Sequence, residues 1–268
     1  MLKGIPGISY GVIMANIFDL SGKTAVVTGA SSGLGRQMAL ALAKFGADVA
    51  IVARRVEKLE SVKKEIEALG VRCYTHKCDV TNTDDIRQTV EDIEKEFGPI
   101  SILCNNAGIG LFDVAEKQSD EIWNAMIATN LNAHYFFSRE VGKRMIERGY
   151  GKIIMTGSIH SVVAMAELPL SAYSTTKGGI LMMVKALAVE WAKYGITVNA
   201  IGPAYFGSEM TQSVINDDNF LNVVKTRCPM GRVGREGELD GAIVYFASDA
   251  STYTTGQYLA IDGGWTAI

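Results

Sequence analysis

The chain has 268 residues, 48% of them hydrophobic and 21% charged, which is enough apolar surface for one large α/β core or two small ones. A net charge of -3 and a pI near 5.7 give no general attraction for nucleic acid or an anionic membrane, so neither is expected as a partner, although a local basic patch is still permitted. Cys73, Cys78, Cys104 and Cys228 form no CxxC pair, and His76 shares a predicted strand with its cysteine neighbours, where side chains do not converge. Reduced thiols in a cytoplasmic setting are expected, and no metal.

The opening MLKGIPGISYGVIMAN is too short and too broken by glycine and proline to span a membrane, and it lacks a convincing signal-peptide cleavage site. Residues 1–17 read as a loose arm, and Met14 offers a second start. The remainder, 18–268, reads as one domain. From Lys23 onward TAVVTGA, DVAIVAR, RCYTHKC, ISILCNN, KIIMTGS, TVNAIGP and QYLAIDGG read as seven strands. Val56, Leu59, Val62, Ile66 and Leu69 lie at helical spacing before Gly70, and Ile86, Val90, Ile93 and Phe97 do so behind a capping Asn82 or Thr83. The alternation predicts an α/β fold of Rossmann type, a doubly wound, seven-stranded parallel sheet flanked by helices. The stretch 204–237 breaks the rhythm and reads as a substrate lid, with an inert surface excursion as the alternative.

The first strand ends in TGASSGLG, Thr28 to Gly35, and a helix follows. Gly29, Gly33 and Gly35 permit a tight turn and a close approach of pyrophosphate to helix N–H groups, although the spacing is not GxGxxG and a ligand-free turn would look similar. The second strand ends in Ala53, Arg54, Arg55 where a carboxylate would favour NAD(H). With Arg36 nearby, this cationic cluster argues for NADP(H) over NAD(H), and Arg55 fits a plain helix start better than Arg54 does. In SAYSTTKGG, Tyr173 and Lys177 share the face of a helix whose stripe of Ile180, Val184, Leu187 and Trp191 runs to a stop at Gly195. Spacing alone leaves that pair either chemical or merely wet.

TGASSGLG, NNAG (Asn105 to Gly108), Asn130, Ser158 and YSTTK occur in the order of the short-chain dehydrogenase/reductase family, which the chain resembles from about Phe18 to Gly264. The resemblance implies that Tyr173 exchanges a proton with the substrate oxygen, that Lys177 favours the phenolate, that Ser158 hydrogen-bonds the substrate and that Asn130 holds a relay water. It places Gly29, Ser31, Ser32, Gly33, Leu34, Gly35, Arg54, Asp79, Val80, Asn106, Ala107, Gly108, Tyr173, Lys177 and Pro203 around the cofactor. The usual Pro-Gly is Pro203-Ala204 here, a departure that matters only if the position needs positive φ. The family's habit also implies a homotetramer.

Within the family, IFDLSGKTAVVTGAS, GPISILCNNAG and GPAYFGSEMT followed by RVGREGEL are similar to gluconate 5-dehydrogenases, which implies a sugar-acid or polyol substrate. Those enzymes often follow NNAG with two arginines, whereas this chain has Leu111 and Phe112, a change that favours a less polar ketone. Ser158, His160, Leu111 and Tyr205 are the expected substrate contacts. Glu167, Arg232 and Lys117 are further candidates near the cleft. A reductase of bulkier apolar ketones and a non-catalytic NADP-binding regulator are the alternative functions.

Overall fold

The computed structural model describes residues 16–212 and 215–268, so most of the expected arm lies outside the described residues. Ile17 is already docked, its carbonyl accepting from the Ala250 amide at 3.1 Å.

All seven expected strands are present: β1 (Thr24–Thr28), β2 (Asp48–Ala53), β3 (Cys73–Lys77), β4 (Ile100–Asn105), β5 (Gly151–Thr156), β6 (Ile196–Pro203) and β7 (Tyr258–Ile261). They form one parallel sheet in the order β3-β2-β1-β4-β5-β6-β7. The central strands are buried on both faces, which is why they read as continuous apolar runs. Their two-residue period sorts Val26, Ala50, Val52, Leu103, Ile153 and Val198 to one core and Val27, Val49, Ile51, Ile102 and Ile154 to the other.

The first core is closed by α3 (Thr83–Glu96), α5 (Ala133–Arg148) and α6 (Ser171–Trp191), through residues such as Ile86, Phe137 and Val184. The second is closed by α1 (Gly33–Lys44), α2 (Val56–Glu67) and α8 (Asp240–Ala247), through Leu42, Leu59 and Ile243. Each such side chain contributes about 1.5–3 kcal/mol by leaving water. Local signals fix the helix ends. Asn82 caps α3 by accepting from the Asp84 and Asp85 amides, and Ser119 caps α4 (Asp120–Met126). Beyond α4, Ile127–Asn132 form a π-turn that runs into α5 and carries Asn130. Such turns add a residue to the helical circuit and recur at functional sites.

Chain order reverses between β1 and β4, and the crevice beyond their carboxyl ends is where open α/β sheets bind ligands. The 204–237 stretch folds over that edge and contains a helix, α7 (Asp218–Arg227), that its mixed composition did not announce. Phe220 and Val224 of α7 are buried with Ile159, Met165, Leu170, Cys228 and Trp265 in a third apolar cluster. The excursion is therefore packed onto the domain.

Candidate active site

The turn after β1 is shaped by what its glycines lack. Gly29 has φ +66°, and a Cβ there would stand 2.8 Å from Ala107 Cα. A Cβ on Gly35 would strike the Gly29 carbonyl oxygen. The turn is bound to the end of β4: Thr28 Oγ1 accepts from the amides of Asn106 at 3.0 Å and Ala107 at 3.1 Å, and Asn106 Nδ2 donates to the Thr28 carbonyl. The first turn of α1 has no acidic residue, and its N-cap Ser32 makes no capping hydrogen bond, so its N–H groups stay available to an anion. A backbone surface cleared of side chains and leading to an uncapped twelve-residue helix fits the pyrophosphate of a dinucleotide.

The cleft along this edge has a volume of about 470 Å³. All residues expected around a cofactor line it, from Arg54, Asp79 and Val80 at one end, past Gly29, Ser31, Ser32, Gly33, Leu34 and Gly35, to Asn106, Ala107, Gly108, Tyr173, Lys177 and Pro203 at the other. Ala204 also lines it without positive φ, so replacement of the usual glycine imposes no strain.

The cationic cluster needs correcting. Arg55, for which a plain helix start was the better alternative, turns inward and donates from Nη2 to both Ser31 Oγ and Ser32 Oγ at 3.0 Å. Arg54 is exposed and makes no ion pair among the described residues. It does lie close enough to Asp79 to help lower that carboxyl's pKa, behind the hydrogen bonds from Thr81. Arg36 points away from the cleft and is held by Glu65 and Glu236.

At the opposite end Ser158, Tyr173 and Lys177 come together. Ser158 caps the 3-10 turn Ile159–Ser161, with its Oγ accepting from the His160 amide at 3.1 Å. Burial raises the Tyr173 pKa, and a hydrogen bond with Ser158 partly offsets that. The buried Lys177 donates from Nζ to the Thr156 carbonyl at 2.7 Å and lies 5.8 Å from the Tyr173 ring centre. Burial lowers its pKa to about 8. Asn130, fully buried, is a bracket between elements: Oδ1 accepts from the Ile109 amide at 2.8 Å, and Nδ2 donates to the Ile109 carbonyl at 2.9 Å and to Thr176 Oγ1 at 3.3 Å.

Around the Tyr173 hydroxyl the walls are aromatic. Phe112 sets its ring edge-on to Tyr173 at 5.8 Å between centres, and both Leu111 and Phe112 are exposed at the margin, outside the residues that line the cleft. His160 is buried and faces Tyr173 at 6.4 Å. Its Nδ1 lies 3.2 Å from the Val163 carbonyl and so carries the proton, which leaves Nε2 to accept from Tyr205 Oη at 2.9 Å. Burial lowers the His160 pKa, in keeping with a neutral ring. Two of the candidate charges are engaged elsewhere, since Glu167 pairs with Arg227 and Arg232 forks onto Glu238, whereas Lys117 is exposed and makes no ion pair among the described residues.

Sequence reasoning missed Thr129, Thr156 and Phe206 in the cleft, along with Ser208, Glu209, Met210 and Thr211 from the 204–237 stretch. The last four lie in GSEMT, and their only signal was the match of GPAYFGSEMT to one branch of the family.

The chain belongs to the short-chain dehydrogenase/reductase family; the family pattern described as enoyl-(acyl carrier protein) reductase matches residues 29–266. Among curated proteins it is 39% identical to the gluconate 5-dehydrogenase of Gluconobacter oxydans over 251 residues, 94% of this chain and 97% of that enzyme. It is 38% identical to the 2-dehydro-3-deoxy-D-gluconate 5-dehydrogenase of Pseudoalteromonas atlantica, over 94% of this chain and 99% of that one. Among solved structures, a gluconate 5-dehydrogenase from Burkholderia cenocepacia in complex with NADP and tartrate superposes with a TM-score of 0.91 at 34% identity, covering 94% of this chain and 98% of its own.

Proposed function

We propose that the chain interconverts a ketone and a secondary alcohol with NADP(H), and that Asn130, Ser158, Tyr173 and Lys177 carry the acid–base work. The reading rests on the convergence of Ser158, Tyr173 and Lys177 at one end of a cleft whose other end is a glycine-lined, uncapped helix N-terminus. The glycine turn would hold the pyrophosphate, Asp79 and Val80 would border the adenine, Asn106 to Gly108 would support the adenosine side, and Pro203 would adjoin the nicotinamide. The cofactor supplies or accepts a hydride at the substrate carbon.

In the reductive direction Tyr173 gives its proton to the substrate oxygen, and the Ser158 hydroxyl donates a hydrogen bond to the same atom. The phenolate left behind is costly in so buried a place. Lys177, cationic below about pH 8, offsets that charge. Solvent then returns a proton to Tyr173. In the oxidative direction the phenolate takes the alcohol proton. Asn130 fixes the Ile109 peptide that walls the cleft, and a relay water is its further role.

A sugar acid or polyol is the favoured substrate, supported by the named activities of the relatives. A bulkier apolar ketone is the second reading, and it is favoured by the Phe112 edge over Tyr173 and by the engagement of Arg227 and Arg232 with glutamates. A cytoplasmic homotetramer remains part of the proposal. The exposed Tyr135 of α5, Met182 and Val189 of α6 and Leu259 of β7 support it as surface for a second copy. Initial rates with NADPH and with NADH, against 5-ketogluconate, polyol ketones, a 3-oxoacyl thioester and oxo-steroids, test the function. Tyr173→Phe should lower turnover by about 10²–10⁴-fold while NADPH affinity persists. Equal turnover by this variant would end the catalytic reading in favour of a cofactor-binding regulator.

A further inference from the structure

The lid places a carboxylate at the adenosine end of the cleft. Glu209 Oε2 lies 2.8 Å from Arg55 Nη2, and its Oε1 takes Lys58 Nζ. The same Arg55 nitrogen donates to Ser31 and Ser32. Arg55 and then Lys58 pull the Glu209 carboxyl down to about 2, so it is anionic at any working pH. Ser208 sits directly over the glycine turn: a Cβ on Gly33 would stand 3.1 Å from Ser208 Cβ. A lid anion is thus seated among two cations and two hydroxyls beside the backbone prepared for a dinucleotide. Arg36 is already engaged by Glu65 and Glu236, and Arg54 lines this end of the cleft without an ion pair among the described residues, so Arg55 and Lys58 are the cations that meet Glu209.

We propose that Glu209 sets cofactor selectivity by occupying the anion seat of Arg55, Lys58, Ser31 and Ser32, which the 2′-phosphate of NADP(H) must take from it. The inference rests on the NADP(H) reading above. NAD(H) carries a hydroxyl at that carbon, and a hydroxyl donates to a carboxylate, so Glu209 stays in place beside it. A phosphomonoester brings about -1.5 to -2 charges and three acceptor oxygens, against one charge and two oxygens for Glu209, so it wins the seat. Its net advantage is smaller by the two ion pairs that it breaks. Glu209 and both its partners are more than two-fifths exposed, at 48% for Glu209 and 42% for each cation, so its loss leaves the fold intact.

The experiment is fluorescence titration of the whole protein with NADPH and with NADH, without substrate, for the wild type, Glu209→Gln, Glu209→Ala and the double variant Arg55→Ala with Glu209→Gln. Exposed ion pairs are individually weak, so Glu209→Gln should tighten NADPH by about three- to tenfold and leave NADH within about a factor of two. Glu209→Ala should shift the ratio the same way, and the gain should shrink when Arg55 is absent. An NADPH-to-NADH affinity ratio that stays at or below the wild-type value in both Glu209 variants overturns the inference. The wild-type preference alone decides the NADP(H) assignment, so the two readings fail separately.

Discussion

Replacing His134 with phenylalanine should make the protein markedly less sensitive to acid. His134 lies in the first turn of α5, is 1% exposed, and has neither ring nitrogen hydrogen-bonded among the described residues. Asn105 engages this turn through the His134 carbonyl and Ser138 Oγ, leaving the imidazole itself unserved. Burial, and then the nearby Lys177 ammonium, push the ring from 6.5 to about 3. The unfolded chain therefore takes up a proton near pH 6.5 and the folded one only near pH 3. Stability from this group is complete above pH 6.5, falls as pH drops between those values, and levels off below them. The slope is about 1.4 kcal/mol per pH unit, so acidifying to pH 4.5 costs about 2–3 kcal/mol, a large part of a usual folding free energy. Urea unfolding at pH 7.5 and 4.5 for both proteins measures it. His134→Phe should lose about 2–3 kcal/mol less than the wild type over that interval. Equal losses would refute the argument.

Three other outcomes are expected. The Lys177 pKa of about 8 predicts that kcat/KM for ketone reduction declines as pH rises through 8, because the ammonium that balances the phenolate is lost; a flat profile to pH 10 would contradict this. Gly35→Ala should abolish NADPH binding in a titration and lower the melting temperature, since its methyl group meets the Gly29 carbonyl oxygen and Asn106 Nδ2. Phe112→Ala removes the edge contact over Tyr173 and should raise KM for oxo-steroids or 3-oxoacyl thioesters about 5- to 50-fold, while small polyol ketones change little.

The sheet was legible because each strand is a short β-branched run closed by turn residues, and the caps at Asn82 and Ser119 are local chemistry. The Ser158, Tyr173 and Lys177 set was legible only as ordered motifs, since nothing in the spacing of 158 and 173 shows that the two meet. What escaped was set by geometry without a local code. Arg54 and Arg55 are adjacent and alike, and the backbone at the N-cap of α2, φ -92° and ψ 89° at Arg55, accompanies the inward turn of the second. The π-turn at Asn130 breaks the 3.6-residue period that reveals a helix. Glu209 meets Lys58 across 151 positions, and the edge of Phe112 over Tyr173 has no local signal either.

The bracket formed by Asn130 has a consequence for the shape of the cleft. A primary amide carries the same donor and acceptor as a peptide group, and here it exchanges both hydrogen bonds with Ile109, as paired residues do across an antiparallel ladder. The loop beyond β4 thereby gains one extra rung after the sheet has ended, supplied from a helix. The rung holds that loop in place beside Lys177, along the edge of the crevice. Aspartate has the same outline but offers only acceptors, so it would hold one rail of the rung and repel the other.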